Sequence, residues 1–324
     1  MKKKLLFAII PLFIIFFSME AGLRVSDWPK VTAAFEHKEP FWTIDANLSE
    51  KKMPHKEENA YFLVNSNSDS LRTREISELD TFNFRIMTMG CSTTFGWGVT
   101  DAEAYPNRLE SYIHKDGYTK TAVINAGQPG YTSFQGAWLW ERTLNQYKPD
   151  VVLIGFVVQD ARKAAYTDLS QAILQKDYRF LKENFLYNSR AYLAMRHLVG
   201  SVQIRAKERG SGDIGGVYRV PPGDYVNNLR RLISSIKENG GTPILFGYPL
   251  ERSGYTNDHR TILAAAAQEL QVPIFDPQSK MEEASRTGSY YFSRDRGHAN
   301  AAGNDLIAKW VFEFLQEQQL LGNK

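Results

Sequence analysis

The chain has 324 residues, a net charge of +3 from 39 Lys and Arg against 36 Asp and Glu, 43% hydrophobic and 13% aromatic residues, and one cysteine. That balance excludes the compositional signatures of disorder and of a nucleic-acid-binding surface, and a lone cysteine excludes an internal disulfide. The length exceeds the roughly 100 to 200 residues of a typical domain but suits a targeting segment followed by one decorated α/β domain.

The N-terminus is basic at Met1-Lys2-Lys3-Lys4, almost wholly apolar from Leu5 to Phe17, and polar again at Glu20, Arg24, Ser26 and Asp27. This is the pattern of an export signal. The apolar run is short for a bilayer, which needs about 17 to 25 residues, unless Ala21 to Val25 extend it with Glu20 facing a headgroup. Ser18-Met19-Glu20-Ala21-Gly22 offers no good small-x-small cleavage pair, so an uncleaved signal anchor over residues 1–25 is expected, with secretion after cleavage as the alternative. Three lysines before the span favour the cytoplasmic side, which leaves the rest of the chain on the periplasmic side of the inner membrane. Residues 26–78 are polar and broken by Pro40 and Pro54. They are expected to wrap the following domain or to space it from the membrane.

From residue 79 to 324 strands and helices alternate. Phe84 to Met89 reads as a strand, Tyr105 to Ile113 as a helix, Thr121 to Asn125 as a strand and Phe134 to Tyr147 as a helix. Val151 to Phe156 is a continuous apolar run, the mark of a strand buried on both faces. Ala161 to about Pro222 breaks the rhythm and reads as a helical insertion at 161–222, helical at Leu169 to Leu174 and Leu181 to Leu198, with a loop from Glu208 to Gly216. Its excess of basic residues, among them Arg162, Lys163, Arg190, Arg196, Arg205, Lys207 and Arg209, suits a solvated helical face or, alternatively, a lid or anionic contact surface. Residues 223–238 carry helical periodicity at Tyr225, Leu229, Leu232, Ile233 and Ile236 and end at Gly240-Gly241. Thr242 to Tyr248 and Val272 to Phe275 are further strands with the helix Thr261 to Leu270 between them. A last helix after His298 places Leu306, Ile307, Trp310, Val311 and Phe314 on one face. The alternation predicts a three-layer α/β/α sandwich around a parallel sheet of five strands.

Two segments carry chemistry. Ser92, in Gly90-Cys91-Ser92-Thr93-Thr94, follows the first strand and precedes Phe95-Gly96-Trp97-Gly98, so its hydroxyl stands at the carboxyl edge of the sheet, where open α/β folds bind ligands. Asp295-Arg296-Gly297-His298 puts a carboxylate three residues before an imidazole. A serine hydroxyl is a poor nucleophile until an imidazole takes its proton, and the imidazole works best when a carboxylate fixes its tautomer. Either segment alone has an ordinary reading, as a turn or as Asp295 capping the helix that begins near His298. Their joint occurrence in this order points to a nucleophile, a base and an orienting acid. Cys91 reads as a small buried residue, and His37, His55, His114, His197 and His259 as scattered ordinary histidines. With no CxxC pair and no HxExxH, neither metal nor cofactor is called for. An α/β-hydrolase elbow is disfavoured because Thr94 stands where the second Gly belongs and because acid and base share one turn. Gly96-x-Gly98 likewise lacks the third Gly of a dinucleotide-binding loop.

Four segments together resemble the SGNH (GDSL-like) hydrolases, over nearly all of residues 79 to 319 and in the expected order, and specifically their membrane-anchored branch. Gly90-Cys91-Ser92 with Gly96-Trp97-Gly98-Val99 is similar to the first family block, Asn125-Ala126-Gly127-Gln128-Pro129-Gly130 to the second, and Asp295 to His298 with Asn300 and Gly303 to the fifth. The lead-in Asn67-Ser68-Asp69-Ser70-Leu71-Arg72 also resembles anchored members. The resemblance implies a flavodoxin-like, mostly parallel five-stranded sheet, a catalytic Ser92, His298 and Asp295, and an oxyanion hole from the backbone N–H groups of Ser92 and Gly130 with a side-chain amide from the third block. There the chain departs from the pattern, because Gly155-Phe156-Val157-Val158-Gln159-Asp160 places Gln159 where an Asn is usual. The extra methylene moves the amide by roughly one bond length, and loss of one oxyanion donor costs about 2.7 to 4 kcal/mol. The implied activity is ester hydrolysis on an acylated small molecule, lipid or envelope glycan, without cofactor. Transfer of the acyl group to a sugar hydroxyl, or a binding or scaffold role on the same fold, are the alternatives.

Overall fold

Five short apolar runs meet in one sheet. The structure, a computed structural model, describes residues 2–26, 28, 35–38, 41–57, 61–173, 185–186, 188–195, 198 and 216–324. The chain divides into two units, residues 35–169 with 217–324, and residues 1–34 with 170–216.

The larger unit opens with two antiparallel hairpins, β1 (Phe35–Lys38) with β2 (Phe41–Ile44) and β3 (Lys51–Pro54) with β4 (Tyr61–Val64). The central strands are β5 (Phe84–Gly90), β6 (Thr121–Gly127), β7 (Val151–Gly155), β10 (Thr242–Phe246) and β11 (Ile274–Phe275), in spatial order β11-β10-β7-β5-β6. Every neighbouring pair is parallel. A small antiparallel ladder of β8 (Lys163–Ala164) and β9 (Val217–Tyr218) precedes the last two central strands. The chain leaves β5 for β6 on one side and then crosses back to β7 on the other. That reversal makes the carboxyl end of β5 the topological switch point, the place where such sheets open a crevice. Register puts Gly90 of β5 level with both Gly127 and Gly155, so three strands end together there.

Helices cover both faces. α3 (Tyr105–Lys115) packs against α8 (Ala301–Glu317), while α4 (Ser133–Arg142), α5 (Pro222–Glu238) and α6 (Asn257–Glu269) pack in succession. Right-handed crossovers put these two groups on opposite faces. Tyr105, Leu109 and Ile113 recur every four residues along α3 and are fully buried. Each such side chain contributes on the order of 1.5 to 3 kcal/mol on leaving water. The short helices α2 (Ser92–Phe95) and α7 (Gln278–Ala284) complete the set. The expected helix over Phe134 to Tyr147 is divided, because Thr143 leaves helical geometry at φ −136° and a separate 3-10 turn spans Leu144–Tyr147.

Much of the lead segment is bonded into this unit. Arg72, 2% exposed, donates to the carbonyls of Leu63, Phe95, Gly96 and Val99 and to the Asp101 carboxylate. Trp42 Nε1 donates to Pro129 O at 2.9 Å, and Gln128 Nε2 to Ser70 O at 2.6 Å.

In the smaller unit, helix α1 covers Lys2–Val25, with Pro11 inside it. Among the described residues no helix is long and apolar enough to cross a membrane, so the expected N-terminal membrane helix is not found there. Its expected extension past Glu20 has a physical obstacle. The Glu20 carboxylate is engaged by protein, accepting from Arg24, from Ser189 Oγ and from the backbone N–H groups of Arg190 and Ala191. Within the basic insertion, helix is present at 168–173 and 190–195. Residues 174–184 and 199–215, with Arg205, Lys207 and Arg209, lie outside the described residues, as do Arg196 and His197.

Candidate active site

β5 ends at Gly90 and the chain turns at once into α2, with Cys91 as its N-cap in extended geometry and Ser92 as its first residue. The first N–H groups of a helix have no partner within it, so that of Ser92 is available to an acceptor. α2 can lie this close to the sheet only because Gly127 has no side chain. A Cβ at that position would come 2.3 Å from Phe95 N and 2.7 Å from the carbonyl carbon of Thr94. After β6 the chain turns through Gln128 to Tyr131, with Gly130 in the left-handed region at φ +80°. Cys91 is buried as expected, 1% exposed, with Sγ 3.2 Å from Thr93 Oγ1.

Asp295 and His298 share a turn closed by His298 N donating to Asp295 O at 3.1 Å. The helix after them is capped by Asn300, whose Oδ1 accepts from Gly303 N at 3.0 Å. Asp295 is therefore free of the capping role that its position also suggested. His298 Nδ1 lies 2.9 Å from Asp295 Oδ2 and Nε2 lies 2.8 Å from Ser92 Oγ. A carboxylate only accepts, so Nδ1 carries the hydrogen and Nε2 is left as the acceptor toward the serine hydroxyl. Burial alone would raise the Asp295 carboxyl. The hydrogen bond from His298 and the charges of His298, Lys56 and His55 outweigh it and hold the group below its ordinary value.

Gly130 and Gln159 stand at the same sheet edge, and a single side chain touches both. Arg219 Nη1 donates to Gly130 O at 2.8 Å and to Gln159 Oε1 at 3.2 Å. Its Nε and Nη2 donate to the two oxygens of Asp168 at 2.9 and 2.8 Å, and Nη2 also to Gln135 Oε1 at 3.1 Å. Next to Gln159, Asp160 is fully buried and accepts from Ser133 N at the start of α4, which ties the end of β7 to that helix. Burial raises its carboxyl to about 7, against the opposing pull of Ser133 and Arg219.

Two residues near the site carry no mark in the sequence. His55, one of the scattered histidines of the sequence, has a buried side chain with Nε2 3.6 Å from Asp295 Oδ2, and that nitrogen makes no hydrogen bond. Arg219 stood at the end of an insertion read for its surface charge. Neither belongs to a motif or a periodic pattern, so no local signal marked them. His114 and His259 are ordinary, each placing Nε2 within hydrogen-bond distance of a backbone carbonyl, Thr121 O at 2.7 Å and Val220 O at 2.9 Å. Among the described residues no cluster of His, Cys, Asp and Glu is arranged to hold a metal ion.

A profile of the GDSL-like lipase/acylhydrolase family matches residues 89–306. No curated protein is similar enough in sequence to count as a match. Among solved structures, a lipase/acylhydrolase from Enterococcus faecalis is 17% identical with a TM-score of 0.50, covering 72% of this chain and 96% of its own. A G-D-S-L family lipolytic protein from Desulfitobacterium hafniense is 16% identical with a TM-score of 0.47, covering 71% and 99%. A catalytic mutant of an acetylxylan esterase from Geobacillus stearothermophilus is 19% identical with a TM-score of 0.46, covering 73% and 94%.

Proposed function

The chain belongs to the GDSL-like lipase/acylhydrolase family and is an ester-hydrolysing enzyme, and from that premise we propose that it works as a serine esterase through Ser92, His298 and Asp295. The observation that carries this reading is the continuous relay from Ser92 Oγ to His298 Nε2 at 2.8 Å and from His298 Nδ1 to Asp295 at 2.9 Å. Ser92 Oγ attacks the ester carbonyl carbon while Nε2 takes its proton. The resulting imidazolium is stabilised by the ionised Asp295. Electrons from the carbonyl move to oxygen, which accepts hydrogen bonds from the Ser92 and Gly130 N–H groups and the Gln159 amide. When the tetrahedral intermediate collapses, His298 returns the proton to the leaving alcohol and an acyl group remains on Ser92. Water, deprotonated by the same imidazole, then releases the acid.

The substrates we propose are O-acyl esters of envelope glycans or lipids, met outside the cytoplasmic membrane. The basic start and apolar run at the N-terminus support an export signal, and α1 leaves Phe13, Ile14, Ile15 and Phe17 more than half exposed, an apolar surface suited to a membrane. Proteolysis of the domain in spheroplasts supports this location, and protection until lysis removes it.

The esterase reading is tested by a fluorophosphonate probe on the purified chain. Stoichiometric labelling at Ser92, lost together with short-chain aryl ester hydrolysis in Ser92→Ala, is expected. Undiminished hydrolysis by Ser92→Ala overturns the mechanism.

A further inference from the structure

We infer that Arg219 is the positioning residue that makes Gln159 a working oxyanion donor, an inference that rests on the esterase reading above. Gln159 carries one methylene and one rotor more than the Asn usual at this place, and a free side chain of that length has no reason to keep its amide NH2 aimed at the substrate. Arginine has only donors. The amide atom that meets Arg219 Nη1 at 3.2 Å must therefore be the oxygen, Oε1. Because the amide is planar, fixing Oε1 on Arg219 also fixes the direction of Nε2, away from the guanidinium. Gln159 Nε2 makes no hydrogen bond among the described residues, while the residue is only 8% exposed. It is a fixed and unspent donor.

The guanidinium is itself tied down by hydrogen bonds. Its five N–H groups serve Asp168 twice, Gln135, Gly130 and Gln159. The paired Asp168 is 5% exposed and accepts a further bond from Thr132 Oγ1 at 2.7 Å. The backbone is latched too, with Asp168 N donating to Arg219 O and Arg219 N to Arg162 O, both at 2.8 Å. A bidentate pair of this kind sets direction as well as energy. Through Nη1, one rigid group registers both Gly130 and Gln159, which lie on different loops after β6 and β7. The ladder of β8 and β9 brings Asp168 and Arg219 together, so the two ends of the inserted segment assemble this clamp.

The experiment measures kcat and KM for a short-chain aryl ester in the full chain, with thermal unfolding alongside. Arg219→Lys keeps the charge but loses the fork, and kcat is expected to fall on the order of 10- to 100-fold with little change in KM, approaching the loss of one oxyanion donor. Combined with Gln159→Ala, the two losses do not multiply, because both remove the same interaction. Gln159→Glu keeps an oxygen on Arg219 and so presents its second oxygen, an acceptor, to the oxyanion. It is expected to be well folded and less active than Gln159→Ala. Multiplicative losses, an unchanged kcat in Arg219→Lys, or a Gln159→Glu enzyme as active as Gln159→Ala would each overturn the assignment. The Gln159→Glu comparison decides the matter if Arg219→Lys does not fold. A wild-type chain without ester hydrolysis or Ser92 labelling removes the esterase reading and this one with it, whereas an active wild type with a normal Arg219→Lys removes this one alone.

Discussion

His55 Nε2 faces Asp295 Oδ2 at 3.6 Å, so a histidine contributed by the lead segment stands behind the carboxylate that orients His298. His55 Nδ1 accepts from Glu57 N at 3.4 Å, which places the hydrogen of the neutral ring on Nε2, toward Asp295. The ring packs on Phe292 with centroids 4.3 Å apart. Asp295 thus has a second N–H group close to it, at a distance longer than a hydrogen bond.

His55→Phe keeps the ring packing and removes that donor. A drop in kcat of roughly 2- to 5-fold with KM retained is expected, the worth of a polar contact longer than a hydrogen bond. The pH dependence of stability separates the same variant from wild type. Burial pushes the His55 imidazole below its ordinary value of 6.5. The unfolded chain therefore binds a proton near 6.5 that the folded chain refuses, and wild-type stability falls as pH drops from 6.5 toward the depressed folded value. Phe does not titrate, so its stability relative to wild type rises over that window. Melting temperatures at pH 7.5 and pH 5 measure it, and an identical difference at both pH values contradicts it.

Asp295→Asn carries the opposite kind of group. The Asp295 carboxyl is held below its ordinary value of 3.8 in the folded chain. The stability this contributes is fully present above 3.8 and is lost as pH falls through the depressed value. Acid unfolding curves of wild type and Asp295→Asn should converge below pH 3.8. Curves that stay parallel through that range would show that the carboxylate adds no pH-linked stability.

Arg72 is the buried tie between the lead segment and the loop behind Ser92. Arg72→Met fills similar volume but leaves four backbone carbonyls and Asp101 without their donor. Destabilisation on the order of 3 kcal/mol is expected in urea unfolding, because breaking a buried charged pair from one side strands its partners. A midpoint equal to wild type would show that the lead segment is dispensable to the domain.

Gly127→Ala tests the close approach of α2 to β6. The added Cβ meets backbone at 2.3 Å, which no rotamer change relieves. A stability loss of about 1 to 3 kcal/mol is expected, with slower fluorophosphonate labelling of Ser92 as α2 is pushed off the sheet. Labelling at the wild-type rate in a folded variant would show that the approach is not needed.

Local pattern carried much of this protein. Phe84 to Met89 and Val151 to Phe156 announce buried strands by composition, α3 and α8 announce their core faces by period, and Asp295-x-x-His298 is a contact that a single turn can make. By itself the sequence determined the alternation of strands and helices, the position of Ser92 at a strand end and the pairing of acid with base, because each depends on residues close together in the chain. Only the tertiary structure decided that β5 lies between β6 and β7, that His55 meets Asp295 across 240 positions, and that Arg219 joins Gly130 to Gln159. Those contacts join loops with no repeating spacing, and hydrogen-bond direction at a loop is set by packing of the whole sheet edge. The substitution of Gln for Asn at position 159 looked in the sequence like the weak point of the site. The fold sets the Arg219 guanidinium against its amide oxygen, a contact 60 positions away that no local pattern announces.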